Sequence, residues 1–184
     1  MPRPVVGVLA LQGCVEPQLR QLAAAGAEPR ALRCARDLAG LAGIVLPGGE
    51  STAMLRLLEH ADLFAPLREA CAHLPVWGVC AGAILLAREV HAPRQRSLAL
   101  LDVAIERNAY GRQLDSFCAE VEGRLVAFIR APRIRSCGGA VVVRARLGDD
   151  PIWLEQGRIW ATTFHPELGA APSPWHERFV AALG

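Results

Sequence analysis

The sequence predicts an α/β protein of three layers, a mostly parallel central sheet covered by helices on both faces. Over the first half of the chain, short apolar runs that read as buried strands alternate with helix-like segments, and a βαβα order builds parallel sheets. Two of those strands run directly into small-residue turns followed by helix starts. With 184 residues, 52% of them hydrophobic, the chain is long enough for one domain with a full core.

Val5 to Leu11 reads as the first buried strand. Glu16 to Ala25 reads as a helix, with Pro17 in its first turn and Gly26 as its stop. Gly43 to Leu46 is a short strand entering Pro47-Gly48-Gly49. Ser51 to His60 is the next helix, with Ser51 near its cap. Val76 to Val79 is a third strand, and Ala81 to Arg88 the helix after it. The second half is less regular. Arg124 to Ile129, Ala140 to Leu147, Pro151 to Glu155 and Ile159 to Phe164 read as strands, some of them antiparallel additions. A polar loop covers residues 91–98, and Ser173 to Leu183 closes the chain as a helix. No repeat, low-complexity stretch or linker divides residues 1–184, so a single domain is expected.

Composition excludes several function classes. No apolar run is long enough to span a bilayer, and Met1-Pro2-Arg3-Pro4 leads straight into a strand, so neither membrane nor signal peptide is expected. The net charge of +2 argues neither for nor against nucleic acid, but the arginine stretches (Arg94 to Arg96, Arg130 to Arg135) are short and lack interleaved aromatics, so no nucleic-acid partner is expected. The six cysteines form no CxxC pair and no regular spacing. That pattern fits a reduced cytoplasmic protein better than a disulfide framework, and no His or Cys pair has zinc-site spacing. Five of the six read as small structural hydrophobes.

The exception is Cys80, in Pro75-Val-Trp-Gly-Val-Cys-Ala-Gly-Ala-Ile-Leu-Leu-Ala87. An apolar strand ends at Val79, the cysteine follows, and a helix begins. This is the layout of a nucleophile elbow, with Gly78, Ala81 and Gly82 small enough for the tight turn. A thiol there has its thiolate favoured by the helix dipole. His165 and Glu167 are its candidate partners. Residues two apart on an extended segment share a side, Pro166 favours extension at His165, and a carboxylate can fix the imidazole tautomer so that the other nitrogen takes a thiol proton. The four other histidines read as solvated surface. Gly48-Gly49 can aim a backbone N–H at an oxyanion or be a plain turn, and the N–H of Ala81 would be a second donor. Glu50 can cap a helix or bind an amine. Arg107 and Arg130 suit a substrate carboxylate, or surface ion pairs.

Six segments occur in one order: Leu-Gln-Gly (11–13), Leu-Pro-Gly-Gly-Glu-Ser-Thr (46–52), Gly-Val-Cys-Ala-Gly-Ala (78–83), Glu-Arg-Asn-Ala-Tyr-Gly-Arg-Gln (106–113), Phe-Ile-Arg-Ala-Pro (128–132) and Phe-His-Pro-Glu-Leu (164–168). With them the chain resembles the glutaminase subunits of pyridoxal 5′-phosphate synthases, class I glutamine amidotransferases of flavodoxin-like fold. The resemblance implies that Cys80 attacks the glutamine carboxamide, His165 is base and acid, and Glu167 orients it. It implies backbone oxyanion donors at Gly49 and Ala81, and glutamine contacts at Gly49, Glu50, Ser51, Arg107, Ile129 and Arg130. It implies no cofactor. It also implies a barrel-shaped synthase subunit as partner, in complexes of twelve plus twelve. The alternative is an amidotransferase feeding another acceptor, such as imidazole glycerol phosphate synthase, a class that generally carries a bulkier residue than Ala81. Three departures from the family pattern stand out: a short stretch between Phe117 and Phe128, Cys14 and Pro17 where polar residues are usual, and Ala99 where glycine is common.

Overall fold

The computed structural model describes residues 2–107 and 116–184. In chain order the elements are β1 (Val5–Leu9), α1 (Val15–Ala24), β2 (Glu28–Leu32), β3 (Gly43–Leu46), α2 (Ser51–His60), α3 (Phe64–His73), β4 (Val76–Val79) and α4 (Ala81–Leu86). There follow β5 (Ala87–His91), β6 (Leu101–Glu106), β7 (Ser116–Val121), β8 (Arg124–Ile129), β9 (Arg133–Cys137), β10 (Val142–Leu147), β11 (Asp150–Gln156), β12 (Ile159–Thr162) and α5 (Pro174–Ala181).

Seven strands form the central sheet in the order β10-β11-β12-β4-β3-β1-β2. The pairs from β12 to β2 are parallel, and only the β10–β11 and β11–β12 pairs are antiparallel. Alternation along each strand divides the interior in two. Leu9, Ile44, Leu46 and Val76 pack with residues of α2, α3 and α4, such as Met54, Leu67 and Leu85. Val6, Val8, Val45, Trp77 and Val79 pack on the opposite face with Leu22 of α1 and Phe179 of α5. This is the expected three-layer arrangement. β3 and β4 are buried at every position, which is why they read as continuous apolar runs.

The expected helix from Ala81 to Arg88 is shorter, and its tail is strand β5. The segment after residue 97 takes the carbonyls that a longer helix would need: Leu98 N–H donates to Leu85 O at 2.7 Å and Leu100 N–H to Leu86 O at 2.9 Å. Elements β2, α3, β5, β6, β7 and β9 are additions to the sequence reading. Ala99, where glycine is common, has φ +54°, a left-handed conformation that glycine adopts freely. The stretch from Phe117 to Phe128 is a β7–β8 hairpin closed by Glu122-Gly123, both at positive φ, the shortest turn such a hairpin allows. No helix among the described residues is long and apolar enough to cross a membrane.

His176 corrects the expectation of a solvated surface ring. It is fully buried on α5 against Trp77, with ring centroids 4.8 Å apart. Its Nε2–H donates to Gln18 Oε1 at 2.7 Å and Nδ1 accepts from the Ser173 hydroxyl, so both nitrogens of a neutral ring are satisfied. Burial pushes its pKa down to about 3. An unfolded histidine titrates at about 6.5, so below that pH the unfolded chain binds a proton that the folded chain refuses. The resulting stability is present above about pH 6.5 and is lost as pH falls toward 3, at roughly 1.4 kcal/mol per pH unit. Urea midpoints measured from pH 7 to pH 4 are expected to fall more steeply for the natural protein than for His176→Gln. Parallel slopes would refute this.

Candidate active site

Loops at the carboxyl ends of β1, β3, β4 and β12 meet over one cavity of about 400 Å³, where ligands bind in open α/β sheets. Its wall is formed by Gln12, Gly13, Cys14, Gly49, Glu50, Ser51, Cys80, Ile84, Arg107, Ile129, Arg130 and His165. All the side chains expected to contact substrate therefore come together. Glu167 sits behind His165, and Ala81 is buried at the first position of α4 without lining the wall. Residues 108–113 of the Glu-Arg-Asn segment lie outside the described residues.

Cys80 stands between β4 and α4 with φ +49° and ψ −102°, a conformation costing roughly 1–3 kcal/mol. The surroundings hold it there. Its N–H donates to Thr162 O at 2.7 Å, and its carbonyl accepts from Ile84 N–H at 3.2 Å. Close packing beneath the turn requires glycines. A Cβ on Gly78 would lie 2.6 Å from the Gly82 backbone, and one on Gly82 would lie 2.0 Å from Leu46 O. The thiol is 5% exposed and makes a long contact, 3.9 Å, to Ile129 O.

His165 and Glu167 do meet, by a different route from the expected extended segment. Pro166–Leu168 is one turn of 3-10 helix, with His165 at its N-cap. This turn swings the carboxylate back so that His165 Nδ1–H donates to Glu167 Oε1 at 2.7 Å. His165 is anchored through its own N–H to Ala127 O of β8 at 2.8 Å. Glu167 is fully buried. Burial opposes a charge on the ring, but interactions with Cys14, Cys80 and Glu167 outweigh it and raise the His165 pKa well above its ordinary value. Neither His165 Nε2 nor Glu167 Oε2 has a partner of hydrogen-bonding geometry among the described residues.

The rest of the wall is equally organised. Glu50 is the N-cap of α2, accepting from Thr52 N–H at 3.1 Å and Ala53 N–H at 2.7 Å, so the cap reading of this residue holds. Partial burial opposes its charge, but those two bonds, helped by Thr52 and Arg107, keep its pKa below the ordinary value. Arg107 donates to Glu50 Oε1 at 3.0 Å and Thr52 Oγ1 at 2.9 Å. Ser51 Oγ meets Gln95 Oε1 at 3.1 Å. Gly48 and Gly49 leave room that side chains would fill: a Cβ would come within 2.2 Å of the His165 ring at Gly48 and 2.4 Å of Gln12 Oε1 at Gly49.

Sequence reasoning missed three side chains. Gln12 accepts from Glu50 N–H at 2.8 Å and so ties the β1–α1 loop to the diglycine turn. Gln21, fully buried on α1, donates to Glu167 O at 3.3 Å and Gly169 O at 3.2 Å and accepts from Ser173 N–H at 2.7 Å, bracing the turn that carries Glu167. Its signal was a glutamine one position before Leu22 on a helix with an apolar face. Cys14, which reads as a small structural hydrophobe in the sequence, lines the cavity beside His165.

The sequence profile of the SNO glutamine amidotransferase family matches residues 8–183. A protein of Frankia casuarinae with the name pyridoxal 5′-phosphate synthase subunit PdxT is 50% identical, with 100% of this chain and 96% of the relative covered. One of the same name from Kosmotoga olearia is 44% identical, covering 97% of each. A crystal structure described as a glutamine amidotransferase superposes with a TM-score of 0.89 at 41% identity, covering 97% of this chain and 98% of that one.

Proposed function

The chain belongs to the SNO glutamine amidotransferase family, and on that premise we propose that it is the glutaminase subunit of a pyridoxal 5′-phosphate synthase. It hydrolyses L-glutamine to L-glutamate and ammonia. Cys80 is the nucleophile, His165 the base and acid, and Glu167 the group that orients His165. The observation carrying this reading is the elbow thiol of Cys80 lining one cavity with an imidazole whose far nitrogen is tied to a buried carboxylate at 2.7 Å.

In the first half-reaction Cys80 Sγ forms a bond to the carboxamide carbon while its proton passes to His165 Nε2. The carbonyl electrons move to oxygen, where backbone N–H groups at Gly49 and Ala81 stabilise the oxyanion. Collapse breaks the C–N bond, and the nitrogen leaves as ammonia with the proton from His165. Water then attacks the thioester, giving its proton to His165, and glutamate departs as the thiol is restored. Gly49, Glu50, Ser51, Arg107, Ile129 and Arg130 hold the glutamine, with guanidinium groups suited to its α-carboxylate. The chain works as one domain in the cytoplasm, without a cofactor of its own. It delivers ammonia to a barrel-shaped synthase subunit in a complex of twelve copies of each.

Ammonia release from glutamine is expected from the assembled complex, higher than from the chain alone. It should fall by roughly 10³-fold or more for Cys80→Ala, as loss of a triad nucleophile does. An unchanged rate in that variant, or no ammonia from the complex, would overturn the reading.

A further inference from the structure

The carboxylate behind His165 is held by little of its own. Glu167 is fully buried and accepts from His165 Nδ1–H at 2.7 Å through Oε1, while Oε2 has no hydrogen-bond partner among the described residues. Its place is therefore set by its backbone, and that backbone is thinly supported from within. Pro166 has no N–H to give, the bond of the turn from Leu168 N–H to His165 O is long at 3.5 Å, and residues 168–172 are exposed. The segment is spanned instead by one side chain from another element. Gln21 of α1, 0% exposed, donates its amide to Glu167 O at 3.3 Å, Gly169 O at 3.2 Å and Ala170 O at 3.4 Å, and accepts from Ser173 N–H at 2.7 Å. Helix α1 is a fixed post for it. Leu22 packs with Val6 and Val8 of the sheet, and at the start of the helix Cys14 N–H donates to Gly48 O at 2.9 Å.

From this arrangement we propose that Gln21 is a positioning residue for glutamine hydrolysis, fixing the Pro166–Leu168 turn so that the Glu167 carboxylate meets His165 Nδ1. The segment asks for a donor and an acceptor together, and a glutamine amide supplies both. An apolar side chain at this position would leave the Glu167 carbonyl and the Ser173 N–H buried without partners, and the segment would turn toward water to satisfy them. The carboxylate, with Oε2 unpaired, would then move with its backbone. Orientation at this point is exacting, since a displacement of about 1 Å produced far from the reacting atoms can lower a rate by roughly 10²-fold. Gln21 does not line the cavity, so glutamine binding does not depend on it. The effect on hydrolysis rests on the glutaminase reading, whereas the hold of Gln21 on the carboxylate stands on the geometry alone.

Gln21→Met is the test, because methionine keeps the length of the side chain and removes its hydrogen bonds. Gln21→Leu serves if the methionine variant unfolds. In the assembled complex, at temperatures where a thermal melt shows the variant folded, kcat for ammonia release should fall at least tenfold while KM for glutamine stays within threefold. A second readout needs no activity. A ring N–H held by a buried carboxylate gives a strongly downfield proton resonance, assigned in the full chain by its loss in His165→Asn. In the Gln21 variants that resonance should move upfield or broaden away. A Gln21 that served stability alone would lower Tm and leave both kcat and the resonance in place. A fall in kcat of less than tenfold in a folded variant, a larger change in KM than in kcat, or an unmoved resonance would overturn the proposal. Absence of ammonia from the natural complex would instead count against the glutaminase reading and leave the resonance to decide whether Gln21 holds the carboxylate.

Discussion

Glu167→Gln is expected to lower kcat for glutamine hydrolysis by roughly 10³- to 10⁴-fold with little change in folding. An ionised carboxylate can only accept, so at 2.7 Å it selects the tautomer with the proton on His165 Nδ1. That leaves the Nε2 lone pair for the Cys80 proton. A glutamine amide can rotate to donate its N–H instead, and then Nδ1 becomes the acceptor and Nε2 carries the hydrogen. A ring in that tautomer cannot act as base, and the imidazolium formed during the reaction loses its buried counter-charge. The carboxylate-to-amide change in Ser-His-Asp triads costs about 10⁴ in kcat by the same mechanism. Size is conserved, and Oε2 has no hydrogen-bond partner among the described residues, so packing has little to lose. The readouts are kcat and KM for ammonia release from the complex, together with a thermal melt of the variant. A kcat within tenfold of the natural protein would remove Glu167 from the triad.

The parts of the fold legible in the sequence are those where one local signal dominates. β3 and β4 are buried on both faces, so Gly43–Leu46 and Val76–Val79 read to the residue. α2 carries an apolar stripe and a capping segment, so Ser51–His60 read equally well. β2 is an edge strand, Glu-Pro-Arg-Ala-Leu, whose burial varies and whose proline argues against a strand, and only pairing with β1 makes it one. β6 alternates buried and half-buried positions over Leu101–Glu106, a period-2 strand signal that the sequence does carry.

The site divides in the same way. Cys80 was legible because its elbow is local in sequence. His165 and Glu167 were legible by type, although the backbone between them is a 3-10 turn rather than an extended strand. Gln12, Cys14 and Gln21 were not, because their partners lie 38 residues away for Gln12 and 146 for Gln21, and for Cys14 the neighbour is His165. Such contacts depend on which loops the sheet order brings together. His176 was misread because an α-helical period identifies an apolar face without showing that a polar neighbour of Trp175 is enclosed with it.

Gly82→Ala tests whether the elbow is held by packing, and here two physical effects predict opposite signs. In an exposed helix alanine is favoured over glycine by about 1 kcal/mol, so propensity alone predicts a more stable protein. The surroundings of Gly82 predict the reverse. Its added Cβ would lie 2.0 Å from Leu46 O, 2.6 Å from Leu46 C and 2.8 Å from Leu46 Cβ. These atoms belong to the end of β3, which is paired with β1 on one side and β4 on the other, so no flexible tip can give way. The first turn of α4 has to lift from the sheet instead, opening its contact with Gly78. Overpacking of this kind costs typically 1–3 kcal/mol and occasionally more. For a chain of this length that is a fall in Tm of roughly 2–12 °C. Cys80 is the N-cap of that turn, so its sulfur moves with the helix relative to His165, which is anchored separately through β8. Ammonia release should therefore fall at least tenfold even at temperatures where the variant is fully folded. A Tm equal to or above that of the natural protein would mean that propensity outweighs the clash, and the elbow would then tolerate a side chain where the geometry leaves none.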